Sequence, residues 1–132
     1  MKPLTIGQVA QKSGVNIETV RFYEREALLP KADRSASGYR QFDESTIDRL
    51  TFIQRAKELG FTLNEIKELL ALRVEPSSRC ADVKSRAEAK IADIDDKIRT
   101  LRRMKNALVK LTGECDGRGS TSECPILDAL NP

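Results

Sequence analysis

The chain is 132 residues long, 39% hydrophobic and 33% charged, with a net charge of only +3. This length suits one domain or a small domain with an extension, and so weak a net charge means that any contact with nucleic acid must rest on local patches. No apolar run approaches a membrane span and the start, Met1-Lys2-Pro3-Leu4-Thr5, is not a signal peptide, so a cytoplasmic address is expected, where three cysteines are read as free, reactive or metal-binding thiols.

Thr5 and Gln8 have the spacing of a capping box, opening a short helix with Ile6, Val9 and Ala10 on one face. Ser13-Gly14-Val15 supplies a turn, and Asn16 is a good N-cap for a second helix running to about Glu26, with Ile17 and Val20 inward. Helix, Gly-bearing turn and helix make a helix-turn-helix, whose second helix would offer Glu18, Thr19, Arg21 and Tyr23 outward to a major groove. After Leu28-Leu29-Pro30, the turn Ser37-Gly38 and the alternating Tyr39-Arg40-Gln41-Phe42 predict a hairpin. Such a wing puts Arg34, Tyr39 and Arg40 within reach of the phosphate backbone, where contacts position a protein without reading sequence.

Asp43 is expected to cap a third helix carrying Ile47, Leu50, Phe52 and Ile53, ending near Gly60. Thr62 and Glu65 form a second capping box before Ile66, Leu69, Leu70 and Leu72. Pro76-Ser77-Ser78 breaks the pattern, with Ser77 or Ser78 as the next cap. From Cys80 to Leu111 there is neither Gly nor Pro. Ala87, Ile94, Leu101 and Leu108 form one seven-spaced row and Ile91 and Ile98 a second, extended by Lys84 and Lys105. One narrow apolar stripe on a charged helix calls for a single partner helix, so a coiled-coil homodimer is expected. Beyond Gly113 comes a polar, Gly-rich loop from Cys115 to Cys124, and Pro125 suits the first turn of a last short helix through Leu130.

The expected fold is therefore all-α with a small β wing. It divides into a winged helix-turn-helix domain (1–73), a hinge and antiparallel coiled-coil dimerisation helix (74–111), and a metal-binding loop with a short C-terminal helix (112–132). Cys80 lies at one end of the long helix and Cys115 past the other, roughly 50 Å away at about 1.5 Å per residue. In an antiparallel dimer Cys80 of one subunit would come alongside Cys115 and Cys124 of the other, giving two inter-subunit sites. Three thiolates without any histidine in the chain suit a soft ion content with three ligands, Hg(II) first, then Pb(II) or Cd(II). The alternatives are a Cys115–Cys124 disulfide, as in a thiol-redox sensor, or idle thiols. No histidine, phosphate-binding Gly loop or paired-carboxylate cleft points to an enzyme.

Several segments together resemble the MerR family of bacterial regulators: Ile6-Gly7-Gln8-Val9-Ala10, Gly14-Val15, Glu18-Thr19-Val20-Arg21-Phe22-Tyr23-Glu24, Gly38-Tyr39-Arg40 and Leu59-Gly60-Phe61-Thr62-Leu63-Asn64-Glu65-Ile66, followed by the long helix. The resemblance covers essentially the whole chain. It implies a homodimer on a palindromic operator in double-stranded promoter DNA, contacting it through Thr5, Glu18, Thr19, Arg21, Tyr23, Arg34, Gly38, Tyr39 and Arg40. It also implies repression without metal, and activation with RNA polymerase once metal binding untwists and bends the DNA. The placement of Cys80, Cys115 and Cys124-Pro125-Ile126 is similar to that of the mercury-responsive members. Lead and cadmium sensors share this three-cysteine plan, whereas the copper-sensing branch lacks a cysteine equivalent to Cys80.

Overall fold

Local hydrogen bonding begins and ends most of the helices. In the computed structural model, which describes residues 3–30, 33–34 and 40–132, the Gln8 amide donates to Thr5 Oγ1 at 3.1 Å and the Thr5 amide to Gln8 Oε1 at 2.9 Å. This reciprocal pair satisfies two amides that a helix start leaves without partners, and it opens α1 (Ile6–Ser13). Gly14 ends α1 in the left-handed region at φ 71°, where a side chain is disfavoured. Asn16 Oδ1 then accepts from the Thr19 amide at 2.7 Å and opens α2 (Ile17–Arg25).

The chain divides into two units, residues 1–83 and 84–132. In the first unit α1 packs on α2 and on α3 (Ser45–Glu58), and α3 packs on α4 (Leu63–Val74). Val9, Val20, Leu28, Leu50, Ile53 and Ile66 are fully buried where these helices meet. Each contributes about 1.5–3 kcal/mol relative to an exposed side chain. A two-stranded antiparallel ribbon, β1 (Asp33–Arg34) with β2 (Arg40–Gln41), pairs Asp33 with Gln41 and Arg34 with Arg40. Two backbone bonds between Leu4 and Phe42, 2.7 and 2.8 Å, tie the far end of the ribbon to the segment before α1. The Ser37-Gly38 turn and Tyr39 lie outside the described residues.

Several expectations need correction. Ile17 is partly exposed because it sits in the first turn of α2, beyond the edge of the core. Asp43 acts one residue ahead of the formal N-cap, Glu44, and its carboxylate accepts from the Ser45 hydroxyl and, at 2.9 Å, from the Ser45 amide. The bond from the Ser45 hydroxyl, the largest influence, together with those from the Ser45 and Thr46 amides, holds the Asp43 carboxyl below its usual range against the opposing effect of burial. Neither Ser77 nor Ser78 caps the long helix. The Ser77 hydroxyl turns back to Glu75, and Asp82 accepts the Arg79 amide at 2.8 Å from inside the first turn.

Ala27 holds a left-handed conformation, φ 61°, just after α2. It is kept there by the amides of Leu28 and Leu29, which both donate to the Tyr23 carbonyl, and by the burial of those two leucines. A non-glycine residue pays about 1–2 kcal/mol for this region, part of which glycine returns as greater freedom in the unfolded chain. Ala27→Gly is therefore expected to stabilise the protein by about 0.5–1 kcal/mol, read from the midpoint of urea unfolding. A lower midpoint would show that the turn is not strained.

The long helix, α5 (Cys80–Gly113), is 34 residues and, at about 1.5 Å per residue, roughly 50 Å long. In the second unit nearly all of it is exposed. Ile91, Ile94, Ile98, Leu101, Met104, Leu108 and Val109 are all open to solvent, and Leu101, Met104, Leu108 and Val109 line a shallow apolar groove with Lys105 and Thr112. A single turn of 3-10 helix (Thr121–Glu123) leads into α6 (Pro125–Leu130), with Pro125 in its first turn. No helix of the described residues is long and apolar enough to cross a membrane.

Candidate functional site

Two groups of residues concern function, one in each unit apart from Cys80. The first is the outer side of α2. Glu18 and Arg21, one turn apart, are both exposed and pair through Oε1 and Nη1 at 2.9 Å. Thr19 is half-buried, and its hydroxyl donates to Asn16 Oδ1 at 2.8 Å, so it belongs to the cap as well as to the surface. Thr5 is exposed with its hydroxyl engaged in the first capping box. Arg34 and Arg40 oppose each other across the ribbon; Gly38 and Tyr39 lie outside the described residues.

Tyr23 differs from expectation. Its ring is only 3% exposed and packs in the core beside Val20, three residues earlier on the same helical face. The spacing from Val20 was the available signal for this. The hydroxyl meets Lys57 Nζ at 3.4 Å, and the ammonium lies 5.9 Å from the ring centroid. Lys57 thereby joins a cleft lined by Asn16, Glu18, Thr19, Phe22, Tyr23 and Arg25. Phe22 and Arg25 follow Glu18 by four and seven residues on α2 and so share its outer face, a spacing that the helix-turn-helix reading did not use. Behind the cleft, Arg49 Nε donates to the Leu28 carbonyl at 2.7 Å and fixes the exit from α2 to α3. A helix with a charged, hydrogen-bonding outer face, seated on a packed core and followed by a ribbon, can lie in a groove of a duplex and touch its backbone.

The second group is the thiols. All three cysteines are free; Cys80 is exposed, and Cys115 and Cys124 are half-buried. Cys80 is the first residue of α5, Cys115 follows its end by two residues, and Cys124 is the N-cap of α6. The loop between the last two is built from local turns. Arg118 donates its amide to Asp116 Oδ1 at 2.8 Å, Ser120 and Ser122 share a hydroxyl bond of 2.6 Å, and Gly117 and Gly119 take φ of 76° and 91°. Among the described residues no three His, Cys, Asp or Glu side chains converge within the chain. The donor set itself is soft: three thiols, in a chain without histidine.

A family model described as MerR HTH family regulatory protein matches residues 4–72, and one described as MerR, DNA binding matches residues 47–111. The mercuric resistance operon regulatory protein of Bacillus cereus is 44% identical over 125 residues, 95% of this chain and 95% of that protein. Among solved structures, a transcription regulator from Ralstonia metallidurans CH34 in complex with lead(II) is 39% identical with a TM-score of 0.86, covering 97% of this chain and 99% of that one. The dual function transcriptional regulator MerR from Bacillus megaterium MB1 in complex with mercury(II) is 41% identical with a TM-score of 0.73, covering 96% and 98%.

Proposed function

Because this chain belongs to the MerR family of helix-turn-helix regulatory proteins, we propose that it is a Hg(II)-responsive transcriptional regulator acting as an antiparallel homodimer on promoter DNA. The observation that carries the reading is the donor set: Cys80, Cys115 and Cys124 all free, at the two ends of a helix about 50 Å long, in a chain with no histidine. Both the mercury-bound and the lead-bound relative are about equally identical to this chain, 41% and 39%. The choice of ion therefore rests on coordination preference, since three thiolates suit Hg(II) ahead of Pb(II) and Cd(II) and leave zinc short of its usual fourth ligand.

Cys80 of one subunit, with Cys115 and Cys124 of the partner subunit, would hold the ion. When bound, the ion supplies a link between subunits that favours one arrangement of the dimer over another. Glu18, Thr19 and Arg21 on α2 would face the major groove, with Tyr23 and Lys57 behind them and Thr5, Arg34, Gly38, Tyr39 and Arg40 towards the backbone. Without the ion the dimer would hold the promoter in an unproductive form. With it, the altered subunit arrangement would untwist and bend the operator, so that RNA polymerase engages both promoter elements. Bends of this kind require about 1–6 kcal/mol, which differential binding at two sites can supply.

The exposed stripe on α5 supports the dimer, and so does its charge. Residues 97–113 carry six basic and no acidic side chains, whereas all the acidic residues of α5 lie at 82–96. Antiparallel pairing sets basic halves against acidic ones, and parallel pairing would set the basic halves together. The test is a titration of the reduced protein with Hg(II), Pb(II), Cd(II) and Zn(II) in competition, with promoter DNA present. Hg(II) is expected to displace the others and to bind twice per dimer. Preferential retention of Pb(II) or Cd(II) would reassign the effector within the same family. A response to oxidant in metal-free buffer that persists without Cys80 would favour redox sensing by Cys115 and Cys124.

A further inference from the structure

Resting on the antiparallel dimer proposed above, we infer that Asp95 and Arg102 of opposite subunits form two reciprocal ion pairs that fix the register of the dimer. The apolar stripe alone leaves the register open, because sliding one helix by seven residues still sets apolar rows against each other. The charged rows on its flanks do not slide freely. Glu88, Asp95, Arg102 and Val109 each follow a member of the Ala87, Ile94, Leu101 and Leu108 row. Antiparallel helices set this flanking row against its own copy, running the other way.

With Ile98 layered on Leu101 of the partner subunit, Asp95 falls beside Arg102 of the partner subunit, and the two-fold axis repeats the pair. A shift of seven residues one way sets Asp95 against Asp95 of the partner subunit, and Lys97 against Lys97 of the partner subunit on the other flank. Two Glu88–Arg102 contacts would partly offset those repulsions. The opposite shift sets Arg102 against Arg102 of the partner subunit. Only the middle alignment has two opposite-charge pairs and no like-charge pair at the centre.

The single chain leaves these two side chains available. Asp93 pairs with Lys90 at 3.5 Å, and Asp96 pairs with Arg99, each within one turn of α5. Asp95 and Arg102 are exposed and make no hydrogen bond or ion pair among the described residues. The same alignment sets Gly113 level with Arg86 of the partner subunit. The first six residues of α5, about 9 Å of helix, then extend past the end of the partner helix, and Cys80 reaches the level where the partner's Cys115–Cys124 loop begins.

Charge exchange tests the pairing on the full-length protein. Asp95→Arg and Arg102→Asp each turn two attractive contacts into two repulsive ones. Each should weaken self-association by about 10–100-fold at low salt, and far less at 1 M salt. The double variant D95R/R102D should return to near wild-type association. Mixed together, the two single variants should form heterodimers well above the one-half expected of random exchange, as counted by native mass spectrometry. A double variant as weak as the singles, or random mixing, would overturn the register. A wild-type protein that sediments as a monomer would instead remove the dimer on which the inference rests.

Discussion

A heterodimer of Cys80→Ala with the Cys115→Ala, Cys124→Ala double variant should bind one Hg(II) tightly, while neither parent homodimer has a tight site. One of its two sites keeps all three thiols and the other keeps none. In either homodimer, every site lacks at least one sulfur, and loss of a thiolate from a three-thiolate site should weaken binding by orders of magnitude. At roughly 50 Å, the length of α5 keeps Cys80 and Cys115 from serving one ion through the same helix. Mercury titration with differently tagged subunits gives the stoichiometry. Absence of a tight site in the heterodimer, with two in the wild type, would rule out sharing between subunits. A tight site in either homodimer would rule out the three-thiol set.

The second large effect is expected at the centre of the stripe. Ile98 is 40% exposed and Leu101 61% exposed in the single chain, and in the proposed antiparallel dimer they would face each other across the axis. Ile98→Asp would bury two carboxylates without partners and remove two apolar side chains. The loss is on the order of 4 kcal/mol or more per dimer, about a thousandfold in association. Helicity should fall as well, because an isolated charged helix of this length holds itself together poorly in water. Sedimentation and circular dichroism at matched concentration check both effects. A fully dimeric, fully helical variant would show that the subunits meet elsewhere.

Legibility in the sequence followed how local the deciding interaction is. Both capping boxes, Thr5 with Gln8 and Thr62 with Glu65, use side chains three residues apart, and both form as the sequence reading expected. The Cys80–Gly113 helix likewise follows from one uninterrupted pattern. Tyr23 is the exception: its spacing from Val20 already puts it on the buried face of α2, and only the partner of its hydroxyl, Lys57, lies far off, 34 residues away. The start of α5 falls at Cys80, two residues past Ser78, because Asp82 accepts the Arg79 amide from the first turn, a bond that the Ser-rich stretch before it does not announce. Glu18, Thr19 and Arg21 could be named from the helix-turn-helix pattern and Phe22 and Arg25 share their helix, but Lys57 of α3 joins that face only when the helices are packed. The thiols could be named but not assembled, since among the described residues no three such side chains converge.

The loop from Cys115 to Cys124 owes its shape to neighbouring residues, with Asp116, Ser120, Ser122 and two left-handed glycines closing successive turns. None of its residues belongs to the buried core of the first unit. Substitutions between the two cysteines can therefore accumulate without weakening the part of the molecule that meets DNA. A lineage facing a new toxic ion could alter this short stretch while inheriting the helix-turn-helix unchanged. Selection on ion preference and selection on operator sequence would then act on separate stretches of one gene.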